Sequence, residues 1–122
     1  MISRDLKAAL RAILPLLALG ACAAVEAPSA RDAEAEAASR GLVYARAACA
    51  QCHAVAVSEP RSPNPDAPPF VVIANLPGMT PTALNAWLHS AHPTMPNLIV
   101  APADRADLAA YLASIRRGER VT

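Results

Sequence analysis

Two cysteines and a histidine stand together in the segment Cys49-Ala50-Gln51-Cys52-His53. Thiols at this spacing on one helical turn can each form a thioether with a vinyl group of a haem, while the adjacent histidine ligates the iron. Thioethers hold the group irreversibly, and a histidine nitrogen binds iron in either oxidation state. The segment therefore predicts one covalently bound haem, attached to Cys49 and Cys52, with His53 as an axial ligand.

Two other uses of a Cys-x-x-Cys pair are less favoured. A thioredoxin-like redox pair is expected within a strand–helix–strand pattern, which the sequence does not show. A zinc site needs a second pair of ligands at matching spacing, and His89 and His92 supply only a loose version of that pair.

A second axial ligand would have to come from further along the chain. The candidates are Met79, His89, His92 and Met95. Met95 is favoured because Pro93 and Pro96 stiffen the backbone on either side of it and help to hold a weak thioether ligand in place. Met79 instead precedes a helix start, where a hydrophobic residue ordinarily packs.

Residues 1–22 have the order of an export signal, with a basic start and then an apolar stretch too short to span a bilayer. The last four, LGAC, resemble the lipobox of bacterial lipoproteins, in which the cysteine becomes the lipidated first residue. This resemblance implies lipidation of Cys22 and a membrane-associated protein. The alternative is ordinary cleavage at Ala21-Cys22-Ala23, which leaves no anchor.

The remaining chain is long enough for one small domain, and we assign residues 23–38 to a tether and the start of the first helix and residues 39–122 to the domain. Hydrophobic residues make up 54% of the sequence, but many are alanine. A large flat cofactor would supply bulk that such a core lacks. The aromatic residues are Tyr44, Phe70, Trp87 and Tyr111.

Helical patterns occupy the second half of the chain. Thr80 and Pro81 predict an N-cap and first turn. Residues 71–73, a run of Val-Val-Ile, are predicted to be an extended loop covering the haem. For Trp87 and Tyr111, core packing and contact with the haem both remain open. The predicted apolar faces consist of Leu84, Trp87, Leu88 and Ala91 in one helix and of Leu108, Tyr111, Leu112 and Ile115 in the last.

The stretch from residue 40 to residue 117 resembles the class I c-type cytochromes. Gly41 is similar to the glycine at which that family's first helix closely crosses the last, with Tyr111 as the aromatic that meets it. Residues 67–70 resemble the segment in which a proline carbonyl, here of Pro68 or Pro69, accepts a hydrogen bond from the ligating histidine. Residues 94–96 resemble the family's methionine loop, which contains Met95.

The resemblance implies an all-α fold of three to four helices around one haem c, with long irregular loops. It implies a periplasmic electron carrier rather than an enzyme, with His53 and Met95 as axial ligands. We also assign Pro69, Trp87 and Tyr111 to the haem pocket. Redox proteins would be its partners. The alternatives are a haem subunit of a larger dehydrogenase or oxidase complex, and a sensor or peroxidase with an open iron site.

Charge sets this chain apart from the mitochondrial members of that family, which surround the haem edge with lysines. After removal of residues 1–22 no lysine remains, and eight arginines face nine acidic residues, for a net charge of −1. The absence of a basic patch argues against nucleic acid as a partner. Docking to a redox partner would have to use arginines or apolar contacts.

Overall fold

The computed structural model describes residues 27–90 and 95–116. These residues form an all-α fold with no β-strand among them, as predicted. None of the helices in these ranges has the length and apolar character needed to cross a bilayer. The helices are α1 (Ala30–Ala48), α2 (Phe70–Ala74), α3 (Pro81–Leu88) and α4 (Pro102–Ser114).

The longest helix, α1, begins at a reciprocal cap. The Ser29 hydroxyl accepts a hydrogen bond from the Asp32 backbone N–H at 3.3 Å, and the Asp32 carboxylate accepts one from the Ser29 backbone N–H at 3.1 Å. These bonds satisfy two backbone N–H groups that the first turn leaves without helical partners. The bonds to Ser29 also hold the pKa of Asp32 below its usual value. The helix thus starts inside the segment assigned to the tether and the first helix.

The packing of α1 on α4 depends on Gly41. A Cβ atom at this position would overlap the Asp107 carbonyl oxygen and lie 2.8 Å from the Tyr111 Cβ. The prediction that Gly41 permits a close crossing at Tyr111 is therefore confirmed. Beside the crossing, Arg40 donates from Nε and Nη2 to the two carboxylate oxygens of Asp107, at 2.8 and 2.9 Å. This paired bond lowers the pKa of Asp107 and raises that of Arg40.

Replacing Gly41 with alanine is expected to destabilise the protein, although alanine is the better helix former. The new methyl group meets backbone of α4, which cannot rotate away, and overpacking of this kind costs about 1–3 kcal/mol. The free energy of unfolding in denaturant measures the effect. Ser39→Ala, at an exposed position of the same helix, is the control and should change it by less than about 0.5 kcal/mol. Equal stability of Gly41→Ala and wild type would contradict the close crossing.

Helix α2 corrects one prediction. Residues 71–73 are helical, so the extended loop predicted there is wrong. Phe70 and Ala74 are both buried, at 7% and 0% exposure, and their i,i+4 spacing places them on one face of a helical turn. The Asn75 side chain also donates to the Val71 carbonyl at 2.7 Å. Packing of this turn on the core outweighs the extended preference of the β-branched residues.

Helix α3 starts where the sequence predicts. The Thr80 hydroxyl accepts a hydrogen bond from the Ala83 N–H at 3.1 Å, and Pro81 occupies the first turn. Of its predicted apolar face, Leu84 and Leu88 are partly buried, and Ala91 lies outside the described residues. The helix leads into the segment that contains Met95.

The core of the described residues lies between α1, α2, α4 and the segment that follows the Cys-x-x-Cys-His motif. After α4, Arg116 donates to the carbonyls of Ala74 and Met79 and so ties the end of α2 and the start of α3 to the last helix. The core contains few large side chains; its buried members are Ala38, Ala45, Val55, Phe70, Ala74, Val100, Leu108, Tyr111 and Leu112.

Candidate haem site

The predicted attachment residues occupy one turn at the end of α1. Cys49 is the C-cap, and its N–H donates to the Ala45 carbonyl at 2.8 Å. The Cys49 carbonyl then accepts from the N–H groups of Cys52 and His53, at 3.1 and 2.9 Å. Both cysteines are free thiols, and all three motif residues are partly buried. The helix end therefore holds the two thiols and the imidazole close together on a tight turn.

The His53 ring has a defined orientation. Its Nδ1 lies 2.8 Å from the Pro68 carbonyl oxygen, and because a carbonyl only accepts, Nδ1 carries the proton. Nε2 then keeps its lone pair for a metal, and the bond to Pro68 fixes the orientation of the ring. The His53 and Phe70 rings form a T-shaped pair, with their centroids 5.5 Å apart.

The structure identifies the acceptor that the sequence left open between two prolines. Pro68 accepts the bond from His53, whereas the Pro69 carbonyl accepts from the N–H groups of Val72 and Ile73 at 2.9 and 3.1 Å. Pro69 is the N-cap of α2. Its place in the haem pocket stays a prediction.

The chain returns over the motif through residues 59–69, which we call the return loop. The Ser62 hydroxyl accepts from the Ala54 N–H at 2.9 Å, and one Glu59 carboxylate oxygen accepts from the N–H groups of Val55 and Ala56 at 2.8 and 3.1 Å. Sequence analysis missed Glu59 and Ser62. Their segment is rich in proline, which is typical of a loop, but no periodicity reveals a side chain that bonds backbone three, four or eight residues away.

The two aromatic residues assigned to the haem pocket differ in environment. Tyr111 is buried, and its hydroxyl donates to the Val55 carbonyl at 2.6 Å; burial raises the pKa of Tyr111. This side chain therefore links α4 to the segment after His53 and packs in the core. Trp87 is 56% exposed, so it is not part of the protein core. Contact of either residue with haem stays a prediction.

The candidate axial ligands also differ in their burial and in the residues around them. Met79 is buried at 7% exposure and borders a cavity of about 190 Å³ together with Leu84 and Leu112. His89 is exposed, and its Nδ1 donates to the Asn85 carbonyl at 2.7 Å. Met95 is partly buried, whereas His92 lies outside the described residues. Iron ligation by Met95 stays a prediction.

The donor set fits haem better than the alternatives. Burial raises the pKa of the Cys49 thiol, whereas the reactive cysteine of a thiol–disulfide enzyme has a lowered pKa. Within residues 27–90 and 95–116, no three His, Cys, Asp or Glu side chains cluster to hold a bare metal ion. Two neighbouring thiols beside a histidine with a free Nε2 are what covalent haem attachment requires.

The helical fold and the thiol–imidazole turn at the end of α1 define a haem-attaching protein class. No family model and no solved structure matches the chain. Cytochrome c-552 from Bradyrhizobium diazoefficiens is 33% identical to it over 90 residues, which cover 74% of this chain and 86% of the relative. The chain therefore belongs to the c-type cytochromes, electron-transfer proteins with covalently bound haem c.

Proposed function

We propose that the protein is an exported monohaem electron carrier that transfers single electrons in the periplasm or at a membrane surface. The observation that carries the proposal is the His53 ring held by the Pro68 carbonyl, directly beside two free cysteines. This arrangement prepares one nitrogen for iron and two thiols for attachment. In this proposal Cys49 and Cys52 bind the haem, and His53 and Met95 are the axial ligands.

Bound haem supplies an iron that alternates between Fe(II) and Fe(III). The protein determines which state is favoured. The hydrogen bond to Pro68 keeps His53 in one tautomer and one orientation, so that the ligand does not rearrange during transfer. A thioether ligand from Met95 would favour Fe(II).

With His53 and Met95 both holding the iron, a small molecule would have no place to bind, and the protein would act as a carrier rather than an enzyme. Its partners would be other redox proteins, whether it works alone or as a haem subunit. Side chains suited to apolar docking are exposed on the surface, among them Val43 and Val57 at 64% and 61%. With no lysine after residue 22, such contacts and arginines are what the surface can offer a partner.

Absorption spectra of oxidised and reduced protein test the proposed function. The protein is produced in a host with cytochrome c maturation machinery, and haem staining after denaturing electrophoresis reports covalent attachment. We expect a reversible one-electron couple and no rapid binding of carbon monoxide. Absence of stained haem would contradict the proposal, and rapid carbon monoxide binding by the wild type would favour a sensor or peroxidase instead.

We further propose that the mature protein is lipidated at Cys22 and partitions with membranes. Several acyl chains on one residue suffice for stable anchoring. Mass spectrometry of the mature N-terminus should show an acylated Cys22, and Cys22→Ser should move the protein to the soluble fraction with its haem intact. An unmodified wild-type chain that starts at residue 23 or later would refute the lipid anchor and leave the electron-carrier proposal unaffected.

A further inference from the structure

The two residues after His53 are buried, and hydrogen bonds hold their backbone groups in place. Ala54 and Val55 are 2% and 0% exposed. Their carbonyls accept from the Phe70 N–H at 2.8 Å and from the Tyr111 hydroxyl at 2.6 Å. Buried backbone groups need such partners because an unpaired one costs the free energy of a lost hydrogen bond. Their N–H groups, however, are satisfied only through side chains of the return loop.

Ser62 accepts from the Ala54 N–H, and Glu59 accepts from the N–H groups of Val55 and of the next residue, Ala56. The same carboxylate oxygen accepts from Val55 at 2.8 Å and from Ala56 at 3.1 Å. The Glu59 backbone N–H also donates to the Ala56 carbonyl at 3.0 Å, so backbone and side chain of one residue close the same turn.

The return loop holds both the donor and the acceptor of the hydrogen bond between His53 and Pro68. Near its start, Glu59 and Ser62 hold the backbone that follows His53, and Asn64 donates from its N–H to the Cys52 carbonyl at 3.1 Å. Near its end, Pro68 presents the carbonyl that His53 contacts. A displacement at the start of this loop therefore changes the distance between the imidazole and its acceptor.

We infer that Glu59 is a positioning residue for the iron ligand: it fixes the backbone next to His53 and thereby keeps Nδ1–H on the Pro68 carbonyl. This inference rests on the proposed function, because it assigns Glu59 a task only where His53 ligates iron. Glu59 acts as a hydrogen-bond acceptor in this role. A glutamine at the same position retains an acceptor oxygen and removes the charge, whereas an alanine removes both.

The test compares Glu59→Ala, Glu59→Gln and wild type as reduced, haem-loaded full-length proteins by nuclear magnetic resonance. Hydrogen exchange is measured at the Val55 and Ala56 amides and at His53 Nδ1–H. We expect exchange at all three sites to be about tenfold faster in Glu59→Ala, the factor for a hydrogen bond worth about 1.4 kcal/mol, and close to wild type in Glu59→Gln. Glu34→Ala, an exposed position of α1, is the control and should change none of them.

The His53 signal separates positioning from simple stabilisation of the loop. Faster exchange at the amides with unchanged exchange at His53 Nδ1–H would overturn the inference, as would unchanged exchange at all three sites. If Glu59→Ala does not accumulate as a haem protein, Ser62→Ala replaces it, with faster exchange expected at the Ala54 amide and at His53 Nδ1–H. An unchanged His53 signal in that variant would likewise refute the role of the loop.

The same series distinguishes failure of this inference from failure of the proposed function. Wild-type protein without covalent haem would contradict both. Wild-type protein with covalent haem and a reversible couple, but with no difference between Glu59→Ala and Glu59→Gln, would contradict only the role of Glu59.

Discussion

Replacing Cys49 and Cys52 together with alanine is expected to leave no haem that resists acid-acetone extraction. The two side chains stand on one turn at the end of α1 as free thiols, and the thioethers they form are the only covalent links in the proposed site. His53 alone can hold haem by coordination, which acid reverses. Haem staining of denatured protein and the extracted haem fraction measure the effect.

Cys22 provides a matched control, because Cys22→Ala removes a cysteine that does not belong to the Cys-x-x-Cys-His motif. That variant should retain all of its acid-resistant haem. Acid-resistant haem in the Cys49/Cys52 double variant would show that attachment occurs elsewhere. Loss of haem in Cys22→Ala would show that export, rather than the thiols of the turn, determines the result.

The double variant should also lose much of its stability. The buried core of the described residues contains Phe70 and Tyr111 but is otherwise made of aliphatic and alanine side chains. Haem packed inside the folded protein would bury apolar surface that the thin core lacks, and small domains with thin cores depend on such groups. Circular dichroism during heating should therefore show a lower midpoint for the double variant than for wild type.

The features predicted best from the sequence are those that depend on residues close together in the chain. The haem motif occupies five consecutive residues, and Thr80 with Pro81 specifies the start of α3 through a cap made within one turn. Gly41 and Tyr111 are far apart in the sequence, and their contact was predicted through resemblance to a family. Residues 71–73 were assigned wrongly because β-branched residues favour extended structure, while the burial of Phe70 and Ala74 that makes them helical is a property of the assembled core.

The return loop shows why the rest of the site could not be predicted. Two successive prolines both offer a carbonyl, and only the assembled chain places that of Pro68 within reach of His53. Likewise, Glu59 is an exposed acidic residue in a polar segment, which in sequence is typical of a solvated loop. Its function as an acceptor for two backbone N–H groups follows from the way the loop turns back on the motif.

Met95→Ala is expected to lower the reduction potential and to convert the carrier into a haem protein with an open iron site. Pro93 and Pro96 restrict the backbone on either side of Met95 and so reduce the entropy lost when its thioether binds. A sulfur ligand favours Fe(II), and the choice of axial ligand moves haem potentials over a range on the order of 0.8 V. The variant should lose the weak red-end absorption band of methionine-ligated ferric haem and should bind carbon monoxide.

Met79→Ala is the matched control, because the two methionines are predicted to differ in role. Met79 is buried beside Leu84 and Leu112, so its truncation should cost about 2–5 kcal/mol of stability and leave the potential and the red-end band near wild type. Met95→Ala should instead change the potential and abolish the band with little loss of stability, because Met95 is only partly buried in the protein. If Met79→Ala or His92→Ala abolished the band while Met95→Ala kept it, the axial ligand would have to be reassigned, and with it the reason why small molecules are excluded from the iron.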